Sequence, residues 1–319
     1  MGWLIFQILL ASVFSGMVGR AEGLTASRLS WVAPASAAES PAGENAAETA
    51  AAEDDSGPRR VDQESLGPVL TAPSAALIDT RTGDVLFSQG EDRVTPIASI
   101  TKLMTAMVFL EKEPAWDSRV TIEPADQEKE GIPYLKTGET VSLRDMFLTT
   151  LVGSANNGAL ALARSTGMTR DQFVERMNSK ARELGLTHST FVDPSGYEPG
   201  NTSTAYDVAR LAYHALRDQR VIEAVTLKEH AYRTVQGRAV TVPTTNALLT
   251  SFLNQGDYSI IGGKTGYTEE AGYTLVLRAR KGEADVIGVV LGSKTSDDRF
   301  QDLKALLTWG FSVFSWERR

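Results

Sequence analysis

The sequence predicts a mixed α/β domain in which one sheet is built from both ends of the folded chain. Strand-like segments stand near the start of the folded part, at 75–87, and return at 258–293. Between them, residues 141–232 follow a helical pattern, and a last helix runs from about Asp302 to Trp316. Strands at both ends, with helices between and after them, place the helices against a single sheet.

Each element has a local reason. "AALIDTRTGDVLF" (75–87) holds two apolar runs around a turn containing Gly83, which reads as a hairpin. In "PIASITKLMTAMV" (96–108), Ile100, Leu103, Met104, Met107 and Val108 recur at helical spacing. That helix carries Lys102 one turn after Ser99, and side chains so spaced have Cβ atoms about 5–6 Å apart. Ser142 with Asp145, Thr169 with Gln172, and Thr204 with Asp207 fit helix-starting boxes. "DPSGYEPGN" (193–201) is dense in turn residues and reads as a loop. Strands follow in "YSIIGGKTGYT" (258–268), "YTLVLRAR" (273–280) and "DVIGVVLGS" (285–293), the last two joined through Lys281-Gly282 as a hairpin. In the last helix Leu303, Leu306, Leu307 and Phe311 share one side. The aromatic end of the chain, Trp309, Phe311, Phe314 and Trp316, lacks the basic face of a membrane-surface helix and is expected to pack in the core.

The chain has 319 residues, 42% of them hydrophobic, enough for one large core or two modest ones. Its net charge of −8 is concentrated at one end, because eight acids between Glu39 and Glu64 face only Arg59 and Arg60. The rest is close to neutral, which argues against nucleic-acid binding. Cysteine is absent, excluding disulfides, thiol catalysis and a lipidated N-terminal cysteine. His188, His214 and His230 lie far apart without metal-ligand spacing, so neither metal nor cofactor is expected.

"WLIFQILLASVFSGMV" (3–18) is too long and apolar for an ordinary strand and predicts an export signal. Small-residue cleavage sites follow at 19–21 and 35–38; the alternative is a retained single-span anchor attaching the protein to the membrane. Residues 1–38 are assigned to this signal or anchor. Residues 39–66, rich in Ala, Glu, Ser and Pro, read as a disordered acidic linker. Residues 67–319 form the folded domain, expected in the periplasm or on the outer face of the cytoplasmic membrane.

Three short motifs carry chemistry. Ser99-x-x-Lys102 pairs a hydroxyl with an amine, a pattern that is weak alone. Ser154-Ala155-Asn156 interrupts an apolar run, as a polar turn between helices also does. Lys264-Thr265-Gly266 sets a cation and a hydroxyl on a strand whose glycines leave room for something alongside. "GGKT" is not a phosphate loop, because Tyr258 stands where that loop needs glycine.

Taken in order, the three match the signature of β-lactamases and penicillin-binding proteins. The chain resembles the serine D-alanyl-D-alanine carboxypeptidases, the low-molecular-mass penicillin-binding proteins, from about Pro73 to Trp316. "STFVDPSGY" (189–197), "NTSTAYDVARL" (201–211) and "LLTWGF" (306–311) resemble the family beyond the triplets. The resemblance implies a β-lactamase/transpeptidase-like α/β fold: an antiparallel sheet of about five strands flanked by helices, plus a mainly helical lobe.

It also implies roles. Ser99 attacks the peptide carbonyl and Lys102 takes its proton, which requires a neutral amine beside a second cation, Lys264. Ser154 passes a proton to the leaving amine, with Asn156 placing side chains or contacting substrate. Lys264, Thr265 and Gly266 form the strand edge for an extended peptide, and Lys264 and Thr265 hold its terminal carboxylate. Arg299 matches a carboxylate-binding arginine, against the alternative of a solvated surface charge. The N–H groups of Ser99 and Tyr267 form the oxyanion hole; losing one such donor costs on the order of 3 kcal/mol in the barrier. Asp193 and Gly196 shape the nearby loop without doing chemistry.

The implied partners are peptidoglycan stem peptides ending in D-Ala-D-Ala, with β-lactams as covalent inhibitors. A β-lactamase of the class A type needs a deacylating glutamate well after the second motif, and "ERMN" (175–178) comes too soon. The sequence stops at Arg319, a plan resembling the family's cross-link endopeptidases or a single-domain carboxypeptidase; carboxypeptidase is the preferred reading. A catalytically silent wall-binding module is the alternative of a different class.

Overall fold

A computed structural model of the protein describes residues 57–127 and 134–317. Its strands are β1 (Arg59–Arg60), β2 (Ser74–Asp79), β3 (Val85–Gln89), β4 (Thr95–Pro96), β5 (Arg119–Thr121), β6 (Thr140–Ser142), β7 (Thr202–Ser203), β8 (Glu229–Arg233), β9 (Ala239–Pro243), β10 (Tyr258–Thr268), β11 (Gly272–Lys281), β12 (Ala284–Ser293) and β13 (Phe314–Ser315). The helices are α1 (Lys102–Leu110), α2 (Leu143–Val152), α3 (Asn156–Ser165), α4 (Arg170–Glu183), α5 (Ala205–Ala215), α6 (Gln219–Thr226) and α7 (Ser296–Val313).

Five antiparallel strands form the main sheet in the order β10-β11-β12-β2-β3, joining both ends of the folded chain as the sequence pattern predicts. Because side chains alternate along a strand, the sheet feeds two cores. Ala76, Ile78, Ile287, Val289 and Leu291 face helices α1 to α6. Ala75, Leu77, Val286 and Val290 face Leu303, Leu306, Leu307 and Phe311 of α7. The strand β10 lies at the edge of the sheet and carries the Lys264-Thr265-Gly266 motif.

The helix starts follow local chemistry. Ser142, Thr169 and Thr204 accept hydrogen bonds from the backbone N–H groups of Asp145, Gln172 and Asp207, capping α2, α4 and α5. Gly83, at φ +77°, turns the β2–β3 hairpin. Trp309 meets Phe87 edge-on at 5.6 Å, and Phe311 and Trp316 are buried, so the aromatic end packs in the core as expected.

Three expectations are corrected. The linker assigned to 39–66 does not extend to 66: Arg59–Arg60 pairs with Phe314–Ser315, and Trp309 Nε1 donates to Ser65 Oγ at 2.8 Å. Backbone pairing with a distant partner holds this stretch, which composition alone cannot reveal. The helical pattern read through 232 ends at Thr226, and a hairpin of β8 and β9 follows. Its residues alternate between exposed and covered positions, the period of a strand. The last helix starts at Ser296, capped by Thr295, and stops at Val313, where Phe314 turns outward to pair with Arg60. The apolar run at 3–18 and linker residues 39–56 lie outside the described residues. Among the described residues no helix is long and apolar enough to cross a membrane.

Candidate active site

Ser99 sits in a 3₁₀ turn, Ala98–Thr101, that runs directly into α1. Ala98, just before it, adopts φ +48°, a left-handed conformation that costs a non-glycine residue about 1–3 kcal/mol unless its surroundings impose it. The loop at 193–201 supplies those surroundings. Asn201 O accepts from Ile97 N at 3.0 Å, and Pro194 O accepts from Thr105 Oγ1 at 2.5 Å. Gly196, at φ +80°, lies so close that a Cβ there would stand 2.0 Å from Ala98 O.

Lys102 is wholly buried. Its Nζ donates to Ser99 Oγ at 2.7 Å, to Asn156 Oδ1 at 2.7 Å and to the Ser195 carbonyl at 2.6 Å. A neutral amine has two N–H donors and one lone pair. In a neutral Lys102 whose two N–H groups go to Asn156 and Ser195, the contact with Ser99 runs the other way, from the hydroxyl to the amine lone pair. The Ser195 carbonyl escaped the sequence reading, which saw only a turn-rich loop.

Asp193 fixes that carbonyl. Its Oδ1 accepts from Ser195 N, Ser195 Oγ and Gly196 N at 2.5, 2.6 and 2.8 Å. Its Oδ2 accepts from Glu198 N at 2.9 Å and from Asn201 Nδ2. Burial pushes the Asp193 carboxyl up, but the bonds from Ser195, Glu198 and Gly196 outweigh it and hold it below the usual range.

Ser154 follows α2 and Gly153, and its own φ of +60° is left-handed. Lys264 Nζ donates to Ser154 Oγ and to Thr265 O, each at 2.9 Å. Lys264 is 1% exposed, and burial, with the charges of Lys102 and Arg299 added, pushes its amine well below the ordinary lysine value. Arg299 adds a further positive charge near Lys264, and burial lowers it only to about 10 against an opposing effect of Tyr273.

Arg299 is buried and not the solvated charge of the alternative reading. Its Nη1 donates to Gly266 O at 2.9 Å, and its guanidinium lies 5.3 Å from the Tyr273 ring. Gly266 lets β10 approach the Ser99 turn, since a Cβ there would stand 2.9 Å from Ile97 O and 2.5 Å from Thr274 Oγ1. Thr265, buried, exchanges a 2.6 Å hydrogen bond with Thr245, a neighbour that no sequence motif marks. Tyr267 is half exposed and stacks on Tyr273 with ring centroids 4.3 Å apart. All nine residues singled out in the sequence thus meet where the helical lobe abuts the edge of β10. A cavity of about 540 Å³, bordered by Lys281, Phe311, Phe314 and Trp316, lies at the opposite end of α7 from Arg299. The three histidines stay outside the site, and among the described residues no group of three or more metal-type ligands occurs.

Comparison with known proteins gives the family. The model of the D-alanyl-D-alanine carboxypeptidase family matches residues 61–295. A D-alanyl-D-alanine endopeptidase of Pseudomonas aeruginosa is 35% identical over 242 residues, 75% of this chain and 77% of its own length. A D-alanyl-D-alanine carboxypeptidase of Bacillus subtilis is 31% identical over 76% of this chain and 63% of its own length. Among solved structures, penicillin-binding protein D2 of Listeria monocytogenes, in its ampicillin-bound form, superposes with a TM-score of 0.67 at 31% identity, covering 77% of this chain and all of that one. The chain belongs to the D-alanyl-D-alanine carboxypeptidase family of serine peptidases.

Proposed function

We propose that the protein hydrolyses the D-Ala-D-Ala bond of peptidoglycan stem peptides through an ester on Ser99. The observation that carries this reading is the buried Lys102 amine, 2.7 Å from Ser99 Oγ, 2.7 Å from Asn156 Oδ1 and 2.6 Å from the Ser195 carbonyl, where in its neutral form it can take the Ser99 proton. A silent wall-binding module has no use for that arrangement.

In acylation, Ser99 Oγ bonds to the substrate carbonyl carbon as its proton passes to Lys102. The oxyanion forms against the N–H groups of Ser99 and Tyr267. The C–N bond then breaks, the leaving amine taking a proton from Ser154, which regains one from Lys264. Lys102 and Lys264 hold one proton between them before and after this step, since two buried ammonium groups repel. That proton returns to Lys264, and the neutral Lys102 then deprotonates the water that cleaves the ester. Arg299 and Thr265 receive the substrate's terminal carboxylate beside β10. The outer side of β10, an edge strand of the sheet, offers backbone pairing to an extended peptide.

Ampicillin binding by the Listeria relative supports the expectation that penicillins acylate Ser99 here. The endopeptidase reading is favoured by one finding, the name of the 35% identical relative. Export to the periplasm or outer membrane face, with or without a retained anchor, is supported by the apolar run at 3–18. Mass spectrometry of a penicillin adduct tests the first claim: modification of Ser99 is expected, and no adduct sinks it. Release of D-alanine from a D-Ala-D-Ala pentapeptide, with cross-linked muropeptides left intact, is the carboxypeptidase outcome. Cleavage of the cross-links is the endopeptidase one.

A further inference from the structure

Gly153 joins α2 to Ser154 at φ −93° and ψ −1°, in the bridge region that non-glycine residues also enter and at a φ that does not itself call for glycine. The missing side chain there answers to space. A Cβ would lie 2.3 Å from Val242 Cγ1 and 2.8 Å from Tyr134 Cε2. Val242, on β9, is fully buried in a small apolar cluster with Val152 and Val240, joined by Tyr134, Leu227 and Tyr232. Tyr232 links this cluster to the core beneath the helices. Just beyond β9, Thr245 N donates to Val152 O at 3.2 Å and fastens the chain leaving the hairpin to the end of α2. The next residue but one is Ser154, whose left-handed backbone costs about 1–3 kcal/mol unless it is imposed from outside. Ser154 Oγ is also the acceptor for Lys264.

We propose that the β8–β9 hairpin, through Val242 and the Thr245 amide pressing on the Val152–Gly153 step, holds Ser154 in its left-handed conformation with Oγ at Lys264. Val242 and Gly153 are then positioning residues for protonation of the leaving group. This rests on the reading of Ser154 as the proton carrier. Gly153 and Val242 reach the chemistry through backbone and packing, whereas the hydrogen bond between Thr245 and the carboxylate-binding Thr265 is a separate contact that neither substitution removes.

Labelling by a fluorescent penicillin, pentapeptide hydrolysis and thermal unfolding are measured on the parent, Gly153→Ala, Val242→Ala and the double variant. A new methyl 2.3 Å from Val242 Cγ1 and 2.8 Å from Tyr134 Cε2 forces a shift, which the proposal places on the backbone leading to Ser154, and misplacing a reacting group by ~1 Å costs on the order of 10²-fold. Gly153→Ala is therefore expected to label roughly 10- to 100-fold more slowly, with the pentapeptide KM within about twofold of the parent. Val242→Ala leaves a gap and loses about three- to tenfold in rate. In the double variant the contact with Val242 Cγ1 is relieved while that with Tyr134 remains, so the rate recovers in part, to roughly three- to tenfold below the parent. A folded Gly153→Ala that labels at the parent rate, or a double variant no faster than Gly153→Ala, overturns the proposal. If Gly153→Ala does not fold, Val242→Ala decides: a lowered melting temperature with an unchanged rate is the mark of packing alone and also overturns it. A parent chain that is never labelled fails in a different place, at the functional reading itself.

Discussion

Asp193→Asn isolates the support of the base from the base itself. Each carboxylate oxygen of Asp193 faces donors only: three on Oδ1 and two on Oδ2. An amide of the same shape must turn its NH₂ toward one of these groups. In the better orientation it meets the Glu198 amide and the Asn201 side chain, donor against donor. A deprived buried group costs about 1–3 kcal/mol and one at the exposed Glu198 less, giving roughly 2–5 kcal/mol in all. In a domain of this size that corresponds to a fall of roughly 5–15 °C in melting temperature. The Ser195 carbonyl also loses its anchor, so penicillin acylation slows along with the loss of stability. The pH dependence has a definite sign. Hydrogen bonds hold the folded carboxyl below its ordinary value of 3.8, so its contribution is complete above that value and is lost as the pH falls through the lower folded one. The parent should therefore lose stability more steeply than the variant below about pH 4. Differential scanning fluorimetry from pH 3 to 8, with labelling rates at pH 7, measures both effects. A variant melting within 2 °C of the parent and acylating at the same rate would refute the reasoning.

Three further perturbations test the electrostatics and the close contacts. Arg299→Gln removes the charge that helps hold Lys264 down, so the amine pair accepts its second proton more readily; the acid limb of the acylation profile moves to higher pH, and a downward shift counts against the account. Gly266→Ala drives a methyl to 2.5 Å from Thr274 Oγ1 and 2.9 Å from Ile97 O, pushing β10 off the Ser99 turn. Loss of one oxyanion donor through that shift lowers the acylation rate on the order of 10²–10³-fold, and a normal rate would show that β10 need not touch the turn. His214 is pushed down to about 4, by burial first and then by Arg217, Arg210 and Lys180. Its contribution is therefore whole above 6.5 and fades as the pH falls toward 4, modestly because the ring is partly solvated. Melting curves of His214→Gln should be flatter than the parent's across that interval, and parallel curves would remove His214 from the balance.

What could be read from the sequence divides along the range of the interactions. Helix starts at Ser142, Thr169 and Thr204 and the turn at Gly83 depend on neighbours within four residues, so the sequence states them directly. Thr295 with Asp298 is the same kind of signal and places the start of α7 correctly once it is given weight over the apolar stripe beginning at Leu303. The pairing of Arg59–Arg60 with Phe314–Ser315 has no local signal, because two extended residues become a strand only when a partner lies beside them. The three motifs were legible through resemblance and not through periodicity.

The state of Lys102 belongs to a third kind of information. Identity alone says that an amine stands near a hydroxyl; it does not say which of them gives the proton. That depends on what accepts the amine's other hydrogens, and one acceptor is the Ser195 carbonyl, a group that every residue carries. Its placement follows from Asp193 gathering five donors, from Gly196 admitting Ala98 O, and from Asn201 holding Ile97. Read as letters, "DPSGYEPGN" is a loop dense in turn formers. Read as hydrogen bonds, it sets a backbone acceptor against the amine beside Asn156, the arrangement in which a neutral Lys102 can take the Ser99 proton. A base in a protein is defined as much by its other acceptors as by its pKa, and backbone acceptors leave no mark in the sequence.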